Sequence, residues 1–184
     1  EVYSGDVKKE IGGVGGNVIN TKKMTFLRML RYFIDLPAGI SGLKEGRVLI
    51  SGFCTDFGET PFPINTIEPV QFLPGAAFSF RKEVFEHVSF RPGLHDLALH
   101  EDKDFSLRVA RNYRLRLNPE ARLFHYESPL MRPTKRKWGR KFINGNYLLF
   151  RDYTRSHPFD WLFFLFPLFV YLLERTILGV CKGD

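Results

Sequence analysis

The spacing of apolar positions changes several times along the chain, and each change predicts an element. Residues 22–36 carry Met24, Phe26, Leu27, Met29, Leu30, Phe33 and Ile34 at roughly helical spacing, with Lys22, Lys23, Arg28 and Arg31 between them. That pattern predicts a basic amphipathic helix ending near Pro37, whose apolar face packs on the domain or meets a membrane surface. Residues 37–70 are rich in Gly and Pro and predict a short strand over 47–53 and a functional loop over 54–69. Strand segments over 70–73 and 76–80 flank Pro74-Gly75. Residues 81–88 then predict a helix with Val84, Phe85 and Val88 on one face, residues 90–99 a loop, and residues 101–112 a second helix. Tyr113-Arg114-Leu115-Arg116-Leu117 alternates with period two, which marks a half-buried strand. Asn118-Pro119 predicts a turn and residues 121–126 a further strand. The order strand, helix, helix, strand, strand predicts a mixed α/β domain.

Two stretches stand outside this periodicity. Gly12, Gly13, Gly15 and Gly16 cannot form a helix interior. They make either a tight turn between strands or a segment whose backbone approaches a ligand or another strand closely. Their spacing is not the dinucleotide-binding fingerprint. At the other end, Trp161–Leu173 is a run of thirteen uncharged residues with Pro167 in its middle, followed by Glu174 and Arg175. As a helix such a run spans about 20 Å, short of the roughly 30 Å hydrocarbon core. Its aromatic crowding and the basic residues before it predict a membrane-associated helix, in-plane or spanning. The chain thus divides into residues 1–153, a mixed α/β unit, and residues 154–184, an apolar membrane-associated segment.

Composition narrows the partners. With 184 residues, 44% hydrophobic and 26% charged, the chain holds a sizeable core, and wholesale disorder is excluded. Cys54 and Cys181 are too few for a disulfide framework or a four-cysteine zinc site. A formal net charge of +7 favours anionic partners: phosphates, acidic headgroups or nucleic acid. Six of the ten residues Arg132–Lys141 are basic and none is acidic, and a helix is expected to follow through Phe150 and Arg151. The chain begins Glu1-Val2-Tyr3 without Met and is expected to be part of a longer protein.

The densest chemistry lies in His100-Glu101-Asp102-Lys103-Asp104-Phe105-Ser106-Leu107-Arg108. Carboxylates at a helix start are favoured by the helix dipole and by capping. One of them, held within reach of a hydroxyl, can also take its proton. Glu101 and Asp104 are three apart and share a face, Asp102 points toward the loop before the helix, and Arg108 can pair with Asp104 four residues earlier. Spacing alone does not say which carboxylate reacts.

The run Phe72-Leu73-Pro74-Gly75-Ala76-Ala77-Phe78-Ser79-Phe80-Arg81-Lys82-Glu83-Val84-Phe85, the acidic motif Glu101–Arg108, Asn112-Tyr113-Arg114-Leu115, Pro119-Glu120-Ala121 and His125 together resemble family 2 glycosyltransferases in order and spacing. Asn112 stands where the family has Gly, a mild departure because Asn tolerates left-handed angles. The resemblance covers about residues 10–153, the acceptor-side half of the family's domain.

It implies an inverting sugar transfer from a nucleotide-sugar donor on a partial GT-A fold. The acceptor would be a hydroxyl of a cell-envelope or lipid-linked glycan, at the cytoplasmic face of the membrane. By matching position, Asp102 is the implied general base and Glu101 shapes the same site. Gly75, Arg81, Asp104, Arg108, Arg136, Lys137 and Trp138 are implied substrate-binding positions. A divalent cation, Mg or Mn, is implied for the full-length protein; its main ligands are expected upstream of this chain. His125 either approaches that metal or is a strand histidine satisfied locally. The basic run resembles the family's mobile segment after the His, closing on a diphosphate or an anionic surface, or else is a solvated loop. A second reading, from a different class, is a non-catalytic membrane-peripheral module anchored by the basic run and the aromatic tail. Nucleic acid is not an expected partner, since no recognised motif supports it.

Overall fold

The computed structural model describes residues 3, 10–19, 24–126 and 134–182, with side chains described up to Ile177 except at His95. Arg132, Lys22, Lys23 and the side chain of Cys181, all part of the patterns above, lie outside the described residues. The elements are β1 (Ile11–Val18), α1 (Phe26–Asp35), β2 (Arg47–Val48), β3 (Cys54–Thr55), β4 (Glu68–Val70), β5 (Phe78–Phe80), α2 (Leu94–Leu97), α3 (Glu101–Val109), β6 (Arg114–Leu123), α4 (Lys135–Leu149) and α5 (Trp161–Lys182). Four strands form one sheet in the order β4-β6-β1-β5. β6 runs parallel to β1, while β5 and β4 are antiparallel to their neighbours, so the sheet is mixed. β2 and β3 form a separate hairpin. This is the expected mixed α/β architecture.

The glycine-rich segment resolves in favour of close approach to other strands. It is β1, an inner strand of the sheet, and not a turn. Large side chains from its neighbours occupy the space its own would take. A Cβ on Gly12 would lie 2.5 Å from Tyr113 Cβ, and one on Gly13 would lie 2.7 Å from the Phe80 ring. At Gly16 the neighbour is backbone, Ala121 O at 2.5 Å.

The expected turn at Asn118-Pro119 is also corrected. β6 continues through it, with Gly16 opposite Asn118 and Asn17 opposite Arg122. Residues 119–121 therefore bulge out of the ladder. Proline has no N–H to donate, and Asn118 Oδ1 accepts from Glu120 N at 3.0 Å, closing the bulge locally. The helix expected over 81–88 is a 3-10 turn at Lys82–Glu86; Val84 and Val88 are buried, but Phe85 is half exposed. Of the strand expected over 47–53 only β2 forms; a turn follows, and β3 lies at the start of the expected loop over 54–69. Residues 90–99 contain the short α2, and α3 stops at Val109, short of Asn112.

The main core gathers Val70, Leu73, Val84, Val88, Phe105, Val109, Leu115 and Leu117. Phe105, fully buried, stacks on Phe90 at 4.2 Å and meets Phe80 edge-on at 4.9 Å. A second cluster of Ala38, Ile40, Phe53 and Tyr171 joins α5 to the loop after α1.

α1 and α5 are one-sided. Thr25 Oγ1 caps α1 by accepting from Arg28 N. Tyr32 and Asp35 point inward, and Phe26, Leu27, Leu30, Phe33 and Ile34 are exposed. On α5 the inward stripe is Phe164, Pro167, Tyr171 and Glu174, while Leu162, Phe163, Leu165, Phe166, Phe169, Leu172 and Leu173 are exposed. The helix runs through Pro167 and beyond Glu174 and Arg175. Among the described residues no helix is long and apolar enough to cross a membrane.

Two glycine substitutions test this packing in opposite directions. Gly16→Ala drives a methyl into the Ala121 carbonyl and should destabilise the chain by about 1–3 kcal/mol. Gly139, in α4, has nothing within 4 Å of its would-be Cβ, so Gly139→Ala should stabilise by roughly 0.4–1 kcal/mol. Urea unfolding monitored by circular dichroism measures both.

Candidate functional site

The start of α3 sends its carboxylates in different directions. Glu101 is exposed, so it does not share a face with the fully buried Asp104. Asp102 turns to the loop between β4 and β5 rather than to the loop preceding its own helix. Its Oδ2 accepts from Gly75 N at 3.0 Å, and its Oδ1 accepts from Lys103 N at 2.9 Å. A Cβ at Gly75 would lie 2.7 Å from Asp102 Oδ2, so this approach requires glycine. Burial pushes the Asp102 carboxyl above the usual carboxylate range, with Glu101 and Asp56 adding to the rise, while the Lys103 charge and its N–H oppose it. A poised, oriented carboxylate of this kind can accept a proton.

Asp104 has a different task from the one expected. Its Oδ1 accepts from Tyr153 Oη at 2.6 Å and pairs with Arg91 at 3.1 Å, and its Oδ2 pairs with Arg108 at 3.1 Å. Arg108 also donates to Ser89 O at 2.6 Å. The Asp104–Arg108 pair inferred from spacing is therefore present, with Asp104 fully buried and Arg108 half-buried. Arg81 is likewise engaged elsewhere: it donates to Ile11 O at 2.8 Å and Tyr3 O at 3.2 Å, and sits 4.9 Å over the Tyr3 ring. It clamps the N-terminal strand.

Arg136 and Lys137 are exposed on the first turn of α4, which Thr134 caps by accepting from Lys137 N at 3.3 Å. His125 is exposed beyond the end of β6. Among the described residues no group of three His, Cys, Asp or Glu side chains is placed to hold a metal ion.

Trp138 leads to a cavity. It has a volume of about 390 Å³ and is lined from α1, the β2–β3 hairpin, the start of α3, α4 and α5. Part of its lining is aromatic: Trp138 stacks on Phe142 at 5.1 Å, and Phe142 stacks on Tyr171 at 4.8 Å. Charged groups line it as well. Buried Lys103 pairs with Asp56 at 2.8 Å, and Arg31 pairs with Asp35 at 3.4 Å. His100 and Lys103, which flank the acidic pair in sequence, both line this cavity, whereas Asp102 faces Gly75. Periodicity had marked Arg31 only as a polar position of α1. It gave no signal for Asp35, Asp56, Phe142 or Tyr171, because five separate elements bring them together.

The cavity's α1–α5 seam is sensitive to protons. Asp35 is buried, and Arg31 bridges it to Glu174, whose Oε2 lies 3.1 Å from Arg31 Nη2. Burial, with the nearby Glu174 carboxylate, raises the Asp35 pKa from 3.8 to about 7 against the pull of Arg31 and Arg175. A carboxyl raised on folding stabilises fully below its unfolded pKa, and that contribution is lost as pH rises through the folded value. The chain should therefore lose stability as pH rises from about 4 to about 7. Asp35→Asn should flatten that decline, as read from melting temperatures across a pH series.

Comparison with known proteins agrees with the motif order. No curated protein and no solved structure matches the chain significantly. The family model described as glycosyl transferase family group 2 matches residues 61–181, about two thirds of the chain, and takes in Gly75, the whole acidic helix start, Trp138 and most of α5. The chain belongs to glycosyl transferase family group 2.

Proposed function

We propose that this chain carries the acceptor-side half of an inverting GT-A glycosyltransferase, with Asp102 as the general base. The observation that supports this most is the Asp102 carboxylate itself: half-buried, raised in pKa, and aimed by the Gly75 N–H across a contact only glycine permits. In one step the acceptor hydroxyl gives its proton to Asp102, its oxygen bonds to the anomeric carbon, and the nucleoside diphosphate leaves with the bonding pair. That geometry needs one carboxylate on the acceptor side. Glu101, exposed beside it, borders the same opening. The cavity behind His100 and Lys103, with its aromatic and charged walls, suits a sugar-bearing acceptor.

A divalent cation, Mg or Mn, would neutralise the leaving diphosphate when bound. Among the described residues no three His, Cys, Asp or Glu side chains gather to hold it. In this proposal the full-length protein supplies its ligands. For the same reason the 184 residues alone are proposed to transfer no sugar.

The acceptor is proposed to be a cell-envelope or lipid-linked glycan met at the cytoplasmic face of the membrane. Support comes from the exposed apolar faces of α1 and α5 and the exposed basic turn at Lys135, Arg136 and Lys137. A purely membrane-peripheral module would use the same surface but gives no account of the half-buried, glycine-dependent Asp102.

Two measurements test the reading. In the full-length protein, Asp102→Asn should lower kcat by about 10²–10⁴ with little change in donor KM. The wild-type rate should fall as pH drops through the raised Asp102 pKa; near-normal turnover in the variant would return Asp102 to a structural role. Reversing the charges of Lys135, Arg136 and Lys137 should weaken cosedimentation with anionic vesicles, and unchanged cosedimentation would remove the membrane from the proposal.

A further inference from the structure

His100 is the single described non-glycine residue with a positive φ, at 78°. The other five positive-φ positions among the described residues are all glycine: Gly39, Gly46, Gly52, Gly58 and Gly93. An imidazole kept where side chains rarely go, one residue before the acidic pair, points to use of the ring.

The surroundings are shaped for that ring. Gly145 of α4 packs against it: a Cβ there would lie 2.8 Å from His100 Cδ2 and 2.6 Å from Leu99 O. Phe142 meets the imidazole edge-on at 6.1 Å. Nε2 is buried with no partner, and the ring lines the cavity beside Asn146. Burial, reinforced by the nearby Lys103 charge, holds the imidazole pKa well below its ordinary value, so the ring is neutral.

A buried, unpartnered nitrogen of a neutral imidazole in a cavity asks for a neutral hydrogen-bonding group. Thr55 Oγ1, also buried and unpartnered, lies in the same lining. The flat wall of Trp138, Phe142 and Tyr171 faces the same space. A hydroxyl-bearing ring with one apolar face, a pyranose, meets all of these demands.

We propose that His100 is a specificity-determining residue that binds the acceptor sugar through a hydrogen bond from one of its hydroxyls to Nε2. This rests on the acceptor-cavity reading above. His100 positions the acceptor; Asp102 remains the residue that takes the proton.

The test uses the full chain with 15N-labelled histidine. Long-range proton–nitrogen spectra should show His100 as the Nδ1–H tautomer. Its Nε2 signal should shift on titration with the methyl glycosides of glucose, galactose, mannose and N-acetylglucosamine, and not with inorganic phosphate. His100→Gly should bind the responding glycoside at least about tenfold more weakly. His100→Asn, which tolerates the same backbone angles and keeps an acceptor oxygen, should retain part of the affinity. A protonated Nε2, or wild-type affinity in His100→Gly, overturns the inference and leaves the acceptor reading standing. A wild-type chain that binds no glycoside overturns both. Because the tautomer is read on the wild-type chain, the inference stays testable even if the glycine variant fails to fold.

Discussion

A carboxylate with no access to solvent governs the geometry of this fold. Burying an unpaired charge costs several kcal/mol after relaxation, so Asp104 is tolerable only with its oxygens fully met. Arg91, Arg108 and Tyr153 meet them, and Asp152 in turn holds Arg91 at 2.8 Å. This knot ties α3 to the segment before α2 and to the π-helical turn Phe150–Thr154 that follows α4. It also fixes the rotational phase of α3. With Asp104 and Phe105 inward, Lys103 must face the cavity and Asp102 the Gly75 loop. The candidate base owes its direction to a neighbour that never meets the substrate.

The other half of that placement comes from β1. The four glycines of β1 let Phe80, Leu73 and Tyr113 lie across it, which draws β5 and β6 against a backbone they could not otherwise approach. Gly16 N donates to Ala77 O at 2.7 Å and Arg81 N donates to Gly12 O at 2.9 Å, so both ends of β5 are pinned to β1. The turn that begins β5 then presents the Gly75 N–H to Asp102. The glycines of β1 and the glycine beside the base are two steps of one construction.

That construction was only partly legible in the sequence. α1, α3, α4 and α5 were readable because helical periodicity is local, and the acidic helix start announced itself by composition. β1 was not settled, because a glycine strand is stabilised by its neighbours' side chains rather than its own. The passage of β6 through Pro119 was hidden for a related reason: a bulge is set by register against β1, not by the residues that form it. The division of labour between Asp102 and Asp104 was out of reach. The partners that decide it, Gly75, Arg91 and Tyr153, lie 27, 13 and 49 residues away from the carboxylates they hold. The bonds that hold Arg81 were out of reach on the same grounds, since its acceptors Ile11 and Tyr3 are 70 and 78 residues distant.

The two one-sided helices connect the cavity to the outside. α1 turns Arg28, Arg31, Tyr32 and Asp35 into the cavity and keeps Leu27, Leu30 and Ile34 outward. α5 turns Tyr171 inward, where Arg175 lies over its ring, and keeps Phe166, Phe169 and Leu173 outward. Arg31, reaching both Asp35 and Glu174, is the seam between them. The cavity wall and the apolar outer face are therefore opposite sides of one two-helix layer. Covering apolar surface is worth about 25 cal/mol per Å². The Asp35 carboxyl and the apolar outer face thus belong to the same helix, and Arg31 ties that helix to α5.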